Sequence, residues 1–152
     1  MNKIKNNHGF TLVELLIVMS ILGVLATMIA SGFRSSQARG RDVQRKSDLK
    51  QIASALEIYY SDYSKYPDSL PAVGEDLTDN KTVYMKTLPD DPVSSQDYYY
   101  RVVDSPLNQK FQLFAKLENS QDMDINSDIT HSCGGTNTCN FAITSANTSA
   151  TE

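Results

Sequence analysis

GFTLVELLIVMSILGVLATMIASGF, residues 9–33, decides the fold. From Phe10 to Phe33 the run is 24 residues long and carries one charge, Glu14; the leader before it carries Lys3 and Lys5. As a helix such a run extends about 36 Å, enough for a tilted bilayer crossing. An ordinary secretory signal has an apolar core of about 7 to 15 residues and then a small-residue cleavage site. This core is longer and continues into helix-forming sequence without a turn.

The flanks give conflicting orientations. Arg34, Arg39, Arg41, Arg45 and Lys46 follow the run, so counting positive charges places the remainder of the chain in the cytoplasm. Cys133 and Cys139, the only two cysteines among 152 residues, instead fit a disulfide formed in an oxidising compartment. The mean hydropathy of −0.36 averages the apolar run with a polar remainder rich in Ser, Asn and Asp. That remainder has the size of a single domain, about 90 to 115 residues.

GFTLVELLIV (9–18), ILGVLA (21–26) and RKSDLKQIASALEIYYSDYSKYP (45–67) together closely resemble the type IV pilin-like proteins, the prepilins and the pseudopilins of type II secretion. A weaker likeness continues through LPDDP (88–92) to Glu118. The resemblance implies an α+β fold, the pilin lollipop, in which a long N-terminal helix with a membrane-spanning first half packs on a small antiparallel sheet. It implies a leader at 1–9, a transmembrane half-helix at 10–33 and a periplasmic or extracellular head at 34–144; residues 145–152 read from the sequence as a flexible tail. A prepilin peptidase would cut between Gly9 and Phe10 on the cytoplasmic face and methylate the new Phe10 amine, which overrides the charge count. The basic residues after Phe33 would then lie among external headgroups or line a filament interior.

A carboxylate inside a membrane helix costs about 2.5 to 3.5 kcal/mol and needs a partner. In this family the partner of the residue matching Glu14 is the N-terminal amine of an adjacent subunit. Phe10 and Glu14, four apart, also share a helix face and can pair internally before assembly. Ser31 stands where family members commonly have proline, which leaves Gly23 and Gly32 as the weakest points of the helix.

Beyond the apolar run, Leu49, Ile52, Leu56, Tyr59 and Tyr63 form a stripe widened by Ala53 and Tyr60. The helix should end before Tyr66-Pro67. Four prolines in 67–96 predict a loop, with a helical turn near Tyr84 to Lys86. Strands are expected at 97–103 and 109–117, with a third near 140–144; in the second, Phe111, Leu113, Ala115 and Leu117 face inward and Gln112, Phe114 and Lys116 outward. The same alternation sets Tyr99 opposite Tyr98 and Tyr100.

Catalytic patterns are lacking, so no enzyme and no obligate cofactor are expected. His131 with Cys133 and Cys139 fits no zinc spacing, which favours the disulfide. Asp122, Asp124, Asn126 and Asp128 alternate as calcium ligands do, although an EF-hand would need Gly at Ser127 and Glu at Cys133. Without the leader the basic count falls from 14 to 12 against 18 acidic residues, a net −6, which disfavours DNA as a principal ligand. The reading is a structural subunit of a type IV pilus-like filament. Its partners are further copies of itself, the prepilin peptidase, the membrane and an inner-membrane assembly platform with its ATPase. The alternatives are a major pseudopilin and a non-polymerising membrane-anchored binding module, for which Glu14 would be dispensable.

Overall fold

A computed structural model describes residues 9–152, apart from the side chains of residues 28–32. The expectations for Lys3, Lys5 and His8 in the leader, and for Ser31 and Gly32, lie outside the described residues. The chain divides into two compact units, Met1–Gln37 and Ala38–Glu152.

Helix α1, Leu12–Tyr63, belongs to both units. It starts at Thr11, whose hydroxyl oxygen accepts the Glu14 N–H at 3.2 Å while Glu14 Oε2 accepts the Thr11 N–H at 2.9 Å. This reciprocal capping box satisfies two of the donors a helix start leaves open. In the first unit the hydroxyls of Ser20 and Thr27 donate back to the carbonyls of Ile17 and Val24, so no water is needed to solvate them. At its far end Ser64, with φ of 53°, closes the helix by donating its N–H to the Tyr60 carbonyl at 2.7 Å. Among the described residues no helix is long and apolar enough to cross a membrane; the expected crossing includes residues 28–32.

In the second unit Leu49, Ile52, Ala55 and Leu56 are buried against Phe111, Leu113, Ala115 and Leu117. The stripe is as expected as far as Leu56. Beyond it Tyr59 and Tyr63 stack on each other at 4.7 Å, and Tyr63 remains exposed.

β1 (Leu77–Thr78) pairs antiparallel with β2 (Val83–Met85). The helical turn expected near Tyr84 is therefore a strand. Its reason is the turn at Asp79, whose Oδ1 accepts the N–H groups of Lys81 and Thr82 and folds the chain back on β1. β3 (Tyr99–Val102), β4 (Phe111–Ala115) and β5 (Phe141–Thr144) form an antiparallel sheet with β4 central.

β4 departs from the expected alternation, since all five of its residues are buried. One face covers α1. Over the other lies the disulfide loop, where Phe114 packs with Ile129, Cys133 and Cys139. Tyr98 and Tyr100 pack on the main core, while Tyr99 turns its ring to Phe114 and His131 on the opposite face. Residues 145–152, read from sequence as a flexible tail, return along β4: Ser145 donates its N–H to the Phe111 carbonyl, and Gln112 Nε2 donates to the Ser149 carbonyl.

Candidate functional site

The described large apolar side chains of the first unit are exposed, from Phe10 at 89% to Leu25 at 49%. Amid them sits Glu14, whose Oε2 accepts hydrogen bonds from both the N–H and the hydroxyl of Thr11, each at 2.9 Å. The sequence reading paired Glu14 with Phe10 and missed Thr11. Its signal was present in Thr11-Leu-Val-Glu14, the spacing of a capping box. Gly9 and Gly23 have nothing within 4 Å of where a Cβ would stand and no positive φ. Folding of this chain therefore does not demand glycine at either position.

In the second unit the basic stretch turns inward. Arg45, with a fully buried side chain, donates Nε and an Nη to the two Asp91 oxygens at 2.7 and 2.8 Å. Its other Nη reaches Asp42 Oδ1 and Glu118 Oε1, both at 2.8 Å. Arg41 grips Glu118 through two further bonds, and Asp42 accepts the backbone N–H groups of Glu118 and Asn119. The Arg41 hydrogen bonds, assisted by Arg45 and opposed by burial, pull the Glu118 carboxyl down to about 2. Lys46 Nζ donates to Asp122 Oδ1 and Asp124 Oδ2, each at 2.7 Å; it lowers the Asp122 carboxyl and is itself raised by the pair against the opposing cost of burial.

Three of the five cations that made the orientation ambiguous are thus neutralised within the chain. They are not free to read a membrane surface. The lysine contact also bears on the candidate calcium loop. Asp122 and Asp124 close on the Lys46 ammonium, Asn126 Oδ1 accepts the Asp128 N–H at 2.9 Å, and among the described residues no group of three or more His, Cys, Asp or Glu could hold a metal. The four residues are not brought together as one ligand set.

Cys133 and Cys139 form a disulfide, and both residues are buried. Gly134 follows with φ of 87°, and a Cβ there would lie 2.7 Å from Asp97 Oδ2 and 3.0 Å from the Asp97 nitrogen. The close approach lets the Asp97 N–H donate to the Cys133 carbonyl at 2.9 Å, fixing the loop to the start of β3.

A long helix with an exposed apolar start and a single carboxylate, continuing into a unit with a small antiparallel sheet, is the architecture of pilin-like proteins. Residues 4–30 match the prokaryotic N-terminal methylation motif. Residues 33–132 match the type II secretion system protein G profile, and the chain belongs to that family. It is 35% identical over 98 residues to the type II secretion system core protein G of Pseudomonas aeruginosa, covering 58% of this chain and 69% of the relative. The core protein G of Dickeya chrysanthemi is 26% identical over 121 residues, 73% of this chain and 77% of the relative. The type IV major pilin protein PilA of Myxococcus xanthus is 37% identical over 68 residues; the match takes in 45% of this chain but only 31% of that pilin's length. No solved structure matches.

Proposed function

We propose that the chain is a structural, non-catalytic subunit of a pilin-like filament, anchored in the inner membrane by its N-terminal helix and then polymerised through that helix. The carrying observation is a first unit whose described apolar side chains are exposed around one carboxylate. Such a surface needs cover from lipid, then from neighbouring helices.

Prepilin peptidase cuts between Gly9 and Phe10 and methylates the Phe10 amine. The open surroundings of Gly9 support this reading, since the glycine is then kept for the peptidase. In the membrane pool Glu14 rests on Thr11. On assembly it takes the cationic Phe10 amine of an adjacent subunit, a stronger partner in a low-dielectric bundle than a neutral hydroxyl. The platform and its ATPase supply the work of extraction, and the disulfide is consistent with a head in an oxidising compartment.

The family match over residues 33–132 supports a secretion pseudopilus, and the likeness to a major pilin supports a surface pilus. Gene neighbours separate the two: a secretin with secretion genes, or a retraction ATPase. The test of filament formation is the yield of sheared filaments against membrane-pool subunit for Glu14→Val. Loss of filaments at normal subunit level is expected, and normal filaments would return Glu14 to a tolerated charge and favour the binding-module alternative.

A further inference from the structure

Arg101, on β3, joins the disulfide loop to the end of the returning segment 145–152. One Nη lies 3.3 Å from His131 Nε2, and the other donates to the Glu152 carbonyl at 3.1 Å. A guanidinium has donors and no acceptor. The His131 nitrogen that faces it must therefore accept, and the contact exists only with a neutral imidazole that carries its proton on Nδ1. The same ring packs on Phe114 of β4 at 4.7 Å and on Tyr99 of β3 at 5.2 Å.

Protonation of His131 sets two cations in hydrogen-bond contact. The rings of Phe114 and Tyr99 attract an imidazolium through their π faces, so Arg101 is the partner that yields. Its departure removes one hold on the end of the chain. What remains is Lys110 on Glu152 Oε1, a partly exposed ion pair that water screens, with Gln112 Nε2 on the Ser149 carbonyl and Ala150 against the Phe114 cluster. Arg101 is the charged group that acts on the imidazole; the Tyr99 phenol stays neutral below about pH 10, and Glu152 faces Arg101. Burial first, and then the Arg101 charge, hold the imidazole below its ordinary 6.5. A base lowered in this way supports the folded arrangement above 6.5 and withdraws that support as pH falls through the lowered value.

We propose that His131 is a pH-responsive latch: neutral, it keeps Arg101 in place to clamp residues 149–152 against β4; protonated in mild acid, it expels Arg101, releases that segment and uncovers the Gln112 and Phe114 side of β4. The inference stands apart from the filament reading, since every group in it lies in the second unit.

Nuclear magnetic relaxation of the detergent-solubilised full-length chain tests it. At about pH 7.5 the Ala150 backbone should have an order parameter of about 0.85, and at about pH 5 a value below about 0.6. His131→Gln offers Arg101 an acceptor that takes up no proton, and should keep Ala150 ordered at both. Arg101→Gln removes the opposing cation, so the His131 ring-proton titration should move up towards 6.5 and Ala150 should be mobile at both. Equal order at the two pH values in the unaltered chain would overturn the proposal. So would the same loss of order in His131→Gln, or an unmoved His131 titration or an ordered Ala150 in Arg101→Gln.

Discussion

Replacing Arg45 by Met should be the most damaging single change in the second unit. The Asp91 side chain is fully buried and that of Asp42 is 3% exposed, so the guanidinium is their cation in place of water. Asp42 keeps the two backbone donors of Glu118 and Asn119, while Asp91 keeps only the Val93 N–H among the donors that reach its oxygens. The cost therefore falls mainly on Asp91. Breaking a buried pair from one side costs about 3 to 5 kcal/mol. At a urea slope of about 1.5 kcal/mol per M, the unfolding midpoint should fall by about 2 to 3 M. Urea titration of the detergent-solubilised chain, followed by near-ultraviolet circular dichroism of the tyrosines, reads this directly. Arg45→Met with Asp91→Leu should recover much of the loss, because an apolar pair leaves no stranded charge. A loss under about 1 kcal/mol for Arg45→Met would refute the reasoning, by showing that the carboxylates find water without the arginine.

Stability should fall as pH drops from about 4.5 towards 2: Glu118 is held down to about 2 in the fold, so its contribution is complete above its ordinary value of 4.5 and is lost as pH falls through the lowered one. Thermal melts of Glu118→Gln should show a flatter acid limb than the unaltered protein, and identical limbs would contradict the assignment. Thr11→Val removes the hydroxyl of the capping box, worth about 1 kcal/mol at a helix start; it should leave cleavage at Gly9 intact while lowering the membrane-pool level of subunit, read by immunoblot. Reducing the disulfide should cost about 2 kcal/mol on loop entropy, and should perturb β4 as well, since Phe114 packs on the bridge; unchanged near-ultraviolet signal after reduction would count against that coupling.

The N-terminal half was legible because its signals are local: an uninterrupted apolar run, a motif of ten residues, and a stripe at helical spacing from Leu49 to Leu56. Strands β3, β4 and β5 were legible for the same reason. What escaped was long-range. Nothing in the alternation of 109–117 announces that its polar-looking face is covered, because the cover comes from Ile129, the disulfide and the returning residues Ser149 and Ala150. The basic stretch was read as a surface because its carboxylate partners, Asp91, Glu118, Asp122 and Asp124, lie 46 to 78 positions away. Thr11 was missed for a different reason. It was local, but a membrane glutamate draws attention to distant cations before the neighbouring hydroxyl.

The most direct test of the account is the mass of the subunit recovered from sheared filaments, since it reads polymerisation and processing in one sample. The account predicts a disulfide-bonded chain that begins at Phe10 with a methylated amine. A filament-borne chain retaining residues 1–9, a mature terminus after Ala26 or Ala30, or subunit found in the membrane and never in the sheared fraction would contradict it.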